Sequence, residues 1–479
     1  MRLFSIMMLG FLGPLYGQDV ASGWLNVVWG DSQPGIEFET FVLYSLTMED
    51  GRQMKLDLSD DLIAASGGIE VINSRFITVS GVLSNDVLVA EGILYELDPA
   101  ERGGAVSGPQ PWISIPVKFA DIATEPQSQS FFSNMYGGSP GQLDHYWREQ
   151  SYDIINVVGS QAEGWRTLPQ NQTFYVPTPG SGSNANLNAL FDDAIATHDP
   201  FVDFSNGGTG GFQGINIMFN GNLDCCAWGG GRFATIDGVS KSWRVTWEPP
   251  WGYADEGVIA HEMGHGFGLP HSNNSDMDSS PYDSPWDVMS AATGHAVTDP
   301  TFGRLGKHTI SYHKDRLEWI APTEKILATA PGIYQVTIDQ LALASTPNLR
   351  MVRIPIQGSA THYYTVEVRD QVGNYDGNLP GNAVIIHEVM VGRTEPAWVI
   401  DGDPIPATYS NTEGVMWRVG ETFEDAANNI TVRVDSATAD GFLVTISHLN
   451  CSVSAYQLAL PEWSISLDVT DLIDLLNCL

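Results

Sequence analysis

The sequence predicts a multidomain α+β protein: a mixed α/β central domain, a small β domain before it and a β-sandwich after it. Three observations lead there. With 479 residues the chain exceeds what one hydrophobic core ordinarily holds. Short apolar runs broken by turn residues dominate both flanks, whereas strand-like and helix-spaced runs alternate between them. Hydrophobic residues make up 43% and charged residues 16%, with 49 Gly and 27 Pro, which suits a loop-rich folded chain and is too apolar for a disordered one.

Arg2, the apolar run 3–12 and Gly13-Pro14-Leu15-Tyr16-Gly17 give residues 1–17 the pattern of a secretory signal. Cleavage is expected after Gly17, which places the mature protein outside the cytoplasm. The run is too short to span a bilayer, and no later stretch is long and apolar enough to do so. Residues 18–108 read as the small β domain, a candidate propeptide, from the runs 24–29, 76–79 and 86–89, with the Gly- and Pro-rich stretch 103–111 as linker. Residues 109–320 form the mixed domain. Runs 112–119, 215–219 and 243–247 are strand-like; Leu187, Leu190, Phe191, Ala194 and Ile195 recur at helical spacing; and 255–267 is helical in composition up to Gly268. Residues 321–449 return to strands, at 363–368, 383–387 and 442–446, and read as the sandwich. A tail, 450–479, carries an amphipathic helix-like piece at 467–476.

A net charge of −35, from 57 acidic against 22 basic side chains, argues against nucleic acid and anionic lipid as partners, because both require basic patches. Cys225, Cys226, Cys451 and Cys478 suit an oxidising compartment and allow three pairings. Cys451 with Cys478 closes the tail as a loop, whereas a bond between the adjacent Cys225 and Cys226 needs a strained ring. The spacing lacks the paired C-x-x-C ligands of a structural zinc site.

The chemistry sits in His261-Glu262-Met263-Gly264-His265-Gly266-Phe267-Gly268-Leu269-Pro270-His271. Helix positions four apart share a face, so His261 and His265 present two imidazoles to one metal ion. Gly268 tolerates positive φ where the helix must stop, and the chain then turns to bring His271 to the same ion. Three neutral nitrogens leave a fourth position on zinc open for water, whose pKa the metal lowers. Glu262, beside the first ligand, is placed to take that water's proton during attack on a peptide carbonyl and return it to the leaving amine. The expectation is a secreted zinc-dependent endopeptidase acting on protein or peptide chains.

The extended H-E-x-x-H-x-x-G-x-x-H pattern resembles the signature of the metzincin clan of zinc peptidases, in which a methionine-containing turn follows. Met289, within Ser284-Pro285-Trp286-Asp287-Val288-Met289-Ser290, fits that turn, and the resemblance places its thioether under the three imidazoles. Met277 lies in a polar stretch and fits less well. Within the clan the chain looks most like the gametolysin-like and immune-inhibitor-A-like secreted peptidases, through Leu143-Asp144-His145-Tyr146-Trp147-Arg148-Glu149-Gln150-Ser151-Tyr152, Gly164-Trp165 and the stretch 312–320. The resemblance covers 112–320 well and the flanks loosely, and it implies a substrate laid as an extended strand along a sheet edge. Immune-inhibitor-A-like enzymes usually lack the third histidine, so His271 pulls towards the gametolysin-like side. Some metzincins carry a tyrosine two residues past the turn methionine; here that position is Ala291. Others hold latency through a propeptide cysteine on zinc, yet no cysteine precedes Cys225, so a propeptide here must block the cleft differently.

Other readings stay open. Asp276, Asp278, Asp283 and Asp287 form an oxygen-rich loop that suits calcium as well as plain solvent. The sandwich is either a binder of matrix or cell-surface material or a structural support. The whole chain has an alternative as an extracellular binding protein or adhesin with a structural or vestigial metal site, against which the intact Glu262 speaks.

Overall fold

The computed structural model describes residues 19–34, 40–95, 105–206, 211–275, 280–403 and 412–449. The expected signal, the tail with Cys451 and Cys478, and Asp276, Met277 and Asp278 lie outside these residues. The described chain is a β-rich, mixed α/β protein built on several sheets. No helix among the described residues is long and apolar enough to cross a membrane.

The N-terminal segment supplies β1 (Asp19–Ser32), β2 (Thr40–Thr47), β3 (Gln53–Asp57), β4 (Phe76–Ser84) and β5 (Val87–Tyr95). Pairing runs β1-β2-β3-β5-β4 and returns from β4 to the first half of β1, closing a small barrel. Leu25, Val27, Trp29, Leu46, Ile72, Ile77, Val79 and Leu88 fill it, all from this segment. The burial pattern of β1 records a change of neighbour. Residues 19–24 run from exposed into an alternation of buried and half-buried, as barrel residues do, whereas 25–32 are buried throughout, where the strand passes between β2 and the central domain.

The central domain contributes β6 (Trp112–Lys118), β7 (Gly214–Phe219), β8 (Cys226–Ile236) and β9 (Val239–Glu248). β6 and β7 are parallel, as are β7 and β9, whereas β8 and β9 form an antiparallel hairpin turned at Asp237-Gly238, both with positive φ. β8 then pairs antiparallel with β1, from Val28↔Gly230 to Ser32↔Cys226. One sheet therefore runs from the central domain into the barrel, across the boundary expected near residue 108. The expected linker is also held: the Trp319 indole donates to the Val106 carbonyl at 2.9 Å, and Gly108–Pro109 pairs with Ile155–Asn156.

Helices α1 (Leu143–Ser151), α2 (Leu187–His198) and α3 (Glu256–Gly266) cover the sheet. Every residue of α3 from Glu256 to His265 is buried. It lies so close on β8 that a Cβ at Gly229 would sit 2.7 Å from the Glu262 carboxylate, which is why the Gly229-Gly230-Gly231 run belongs in a strand. The sequence pattern had no strand there, because three glycines carry no side chain to alternate.

The C-terminal region forms the expected two-sheet packing. Strands Gly332–Asp339, Gly441–His448, Ile430–Ala437 and Thr422–Asp425 make one sheet. The other holds Lys325–Leu327, Met351–Pro355, His362–Arg369, Ala383–Met390 and Ala397–Val399, and they share a core that includes Val366, Ile386, Val432 and Val444. The second sheet takes in β10 (Ser272–Asn274), the strand that directly follows His271.

One expectation is corrected. Cys225 and Cys226 are bonded to each other, at the entry to β8. The Asp224 carboxylate accepts from the Ala185 and Cys226 amides and from the Trp228 indole, and this holds the turn in which the two side chains meet. As a disulfide, neither sulfur is free to be a thiolate ligand.

Burying α3 also buries Glu256 in its first turn. One carboxylate oxygen accepts from the Gly306 amide at 2.8 Å, yet burial pushes this group up to about 8 from 4.5. A raised pKa stabilises the fold fully below pH 4.5, and that contribution is lost as pH rises through about 8. Glu256→Gln should therefore remove a loss of order 4 kcal/mol over that window. Urea unfolding of the two proteins at pH 4 and pH 9 checks it: a difference that does not grow with pH sinks the assignment.

Candidate metal centre

Helix α3 ends in a Schellman motif. Gly268, at φ +89°, donates its amide to the His265 carbonyl at 2.9 Å, and Leu269 donates to Gly264 at 3.1 Å. Phe267, at the helix end, is pinned by edge contacts with Trp112 and Trp147 at 6.0 and 4.7 Å. The reversal frees the Leu269 carbonyl, which accepts from His265 Nδ1 at 2.7 Å. His261 makes the matching bond to the Val288 carbonyl at 2.6 Å. His271 is set by its neighbour: Ser272 opens β10, its amide donates to Met289 O at 3.2 Å, and its hydroxyl donates to Asp287 at 2.7 Å.

These bonds decide the tautomers. A carbonyl oxygen only accepts, so Nδ1 of His261 and of His265 carries the proton and Nε2 presents a lone pair. The Nε2 atoms of His261, His265 and His271 lie 3.1, 3.1 and 3.3 Å apart. Lone pairs brought that close in a buried site repel unless a cation lies between them. The three sequence-predicted ligands are thus gathered around one point, and they can hold a metal ion.

A fourth donor joins them. Asp31, at the end of β1, places its carboxylate 2.7 Å from His271 Nε2, 3.4 Å from His261 Nε2 and 3.3 Å from His265 Nε2. The Tyr282 hydroxyl donates to the same carboxylate at 2.7 Å, and the Trp29 indole stacks on the His265 ring at 4.8 Å. Burial alone would raise the Asp31 carboxyl, but the facing imidazoles of His271 and His261 hold it well below its usual range. Burial and the two other imidazoles push His265 down to about 3, which keeps its ring neutral.

Glu262 is completely buried beside this set, and neither of its oxygens has a hydrogen-bond partner among the described residues. Such a group costs about 1–3 kcal/mol or more to keep. Burial raises its pKa well above the usual value, and the Asp31 and Glu248 carboxylates raise it further. Glu248, at the end of β9, is itself pushed up to about 8 by burial.

Met289 is buried with its thioether in the space a side chain on Gly264 would need, between His261 and His265 along the helix. Asp287 holds the turn. It accepts from the Thr309 hydroxyl at 2.8 Å and the Met289 amide at 3.1 Å with one oxygen, and faces Ser272 and His313 Nδ1, the latter at 3.0 Å, with the other. It is therefore spent inside the protein, while Asp276 and Asp278 of the loop considered for calcium lie outside the described residues. Arg369, from the sandwich, binds Asp376 at 2.9 Å and also the Trp286 carbonyl, so that sheet holds the turn from the far side.

No protein-family model matches the chain, and no curated protein matches it.

Sequence reasoning did not find Asp31, Trp29 or Tyr282. The one hint was an aspartate closing an apolar run, which any strand end can show. The coupling of helix end to ligand is testable. Gly268→Ala forces a side chain into the left-handed region and should cost about 1–2 kcal/mol of stability. It should also weaken the binding of a divalent metal ion by about tenfold or more, because the Leu269 carbonyl moves. Chelator competition and thermal unfolding measure both; unchanged metal affinity in a destabilised variant breaks the link.

Proposed function

We propose that the protein is a secreted, metzincin-like zinc endopeptidase that cleaves extracellular proteins, with Glu262 as its general base. The observation that carries this reading is the buried, partnerless carboxyl of Glu262 beside a triad able to hold a metal. A structural metal site gains nothing from such a group, whereas hydrolysis needs a proton acceptor there. The donor set of imidazole nitrogens suits zinc, and tetrahedral bonds of its usual length set ligands about 3.3–3.4 Å apart, close to the spacing of the three Nε2 atoms. Secretion is supported by the signal-like residues 1–17 and by the disulfide at Cys225–Cys226.

Zinc in this site would lower the pKa of a water molecule and polarise a peptide carbonyl. The chain's residues do the rest. Glu262, buried beside the triad with neither oxygen hydrogen-bonded among the described residues, is the group placed to take the proton of the attacking water and return it to the leaving amine nitrogen. His261 and His265 stay in the lone-pair tautomer because Val288 and Leu269 hold their other nitrogens. Substrate would pair with the edge of β8, which already accepts a strand in antiparallel register. The sandwich acts here as support for β10 and the Met289 turn.

One observation favours the alternative of a binding protein with a structural metal. Asp31 completes a set of four protein donors, as closed structural sites do. Glu262→Gln separates the two. The peptidase should keep about one zinc per chain and lose cleavage of unfolded protein by a factor of about 100 or more, the weight of a general base. Equal zinc and equal turnover in both forms, or no turnover in either after limited trimming, rejects the peptidase.

A further inference from the structure

We infer that Arg369, contributed by the sandwich, is a positioning residue of the metal centre, and that the mixed domain, residues 109–320, does not by itself make a competent site. The inference rests on the peptidase reading above and gives the sandwich a place in it.

Two of the three histidines are oriented from one short segment. The Val288 carbonyl accepts from His261 Nδ1 at 2.6 Å, and Asp287 accepts at 2.7 Å from the hydroxyl of Ser272, the residue after His271. Whatever fixes residues 286–289 therefore fixes His261 and His271 together, whereas His265 is held separately by Leu269. Arg369 reaches that segment by two routes. It is fully buried at the end of the strand His362–Arg369, and its guanidinium donates to the Trp286 carbonyl, two residues before Val288, and to the His308 carbonyl at 3.1 Å. His308 is caught on its other side as well, because its amide donates to the Asp376 carboxylate at 2.9 Å. Thr309 comes next, and its hydroxyl donates to Asp287 at 2.8 Å, so the second route ends on the same turn.

Charge balance does not account for this arrangement. A buried cation needs carboxylates, and Asp376 and Glu367 meet Arg369 at 2.9 and 3.5 Å within the sandwich region. The same guanidinium also turns N–H groups to two carbonyls of the central domain. It can do so because it carries five donors in a rigid plane, whereas a lysine ammonium concentrates three on one point. Arg369 and Asp376 both lie beyond residue 320, so the mixed domain alone carries the Trp286 and His308 carbonyls without these donors.

The test uses the full chain as wild type, as the doubly neutral Arg369→Met with Asp376→Asn, and as Glu262→Gln. Chelator competition measures zinc affinity, cobalt(II) spectra report ligand geometry, and thermal unfolding of the metal-free proteins reports the fold. The double variant should bind zinc about tenfold or more weakly than wild type and shift the cobalt bands, as loss of an outer support does. A merely structural ion pair predicts the opposite, since removing both charges leaves none buried alone. Wild-type affinity and wild-type spectra in the double variant therefore overturn the inference. If that variant does not fold, the wild type decides. Metal addition should slow amide exchange at residues 286–289 and at 308 and 309, because coupling between the site and its support is reciprocal; no change there overturns the inference. Cleavage of reduced, denatured albumin tests the reading beneath it. Weakened zinc binding in the double variant, together with no cleavage by wild type or with cleavage retained in Glu262→Gln, overturns the peptidase mechanism and leaves Arg369 as the support of a metal site of another kind.

Discussion

Two backbone carbonyls, those of Val288 and Leu269, set the condition that the centre of this protein has to satisfy. By accepting from Nδ1 of His261 and His265, they turn two lone pairs inward, and with His271 the three nitrogens converge within 3.1–3.3 Å. Each carbonyl depends on structure further out. Leu269 is reversed by the left-handed Gly268, and Val288 lies in a turn knotted by Asp287 and clasped from the sandwich by Arg369. The repulsion that a cation relieves is thus built by elements from two regions of the chain.

The second constraint is acidic. Asp31, Glu248 and Glu262 are all buried near one another, an arrangement that a cation offsets and that burial alone would penalise. Asp31 is answered by imidazoles, whereas Glu262 has no such answer. The two carboxyls are therefore shifted in opposite directions: Asp31 is held in its charged form, whereas burial and the neighbouring carboxylates favour the protonated form of Glu262.

The β-sandwich and the barrel reach the site by the same means, strand addition. The sandwich adopts β10, the strand that follows His271, while the barrel lends β1 to the central sheet and so brings Asp31 to the histidines. Both use backbone bonds that are indifferent to side-chain identity, which makes them strong in the fold and faint in the sequence.

The sequence by itself determined the histidine triad, the carboxyl beside it and the glycine that ends the helix, because spacing along one helix fixes which side chains share a face. It also showed the main strands, from their alternation, and the broad order of β, mixed and β regions. Only tertiary structure decided that β8 is a strand, since Gly229-Gly230-Gly231 has no pattern to read until α3 is seen pressed against it. The same holds for the bond between Cys225 and Cys226, which follows from a turn around Asp224. Asp31 belongs here most of all. It stands far from His261 in the chain and comes within reach of all three histidines solely because β1 exchanges β4 for β8 as its neighbour, a choice made by backbone pairing between distant segments.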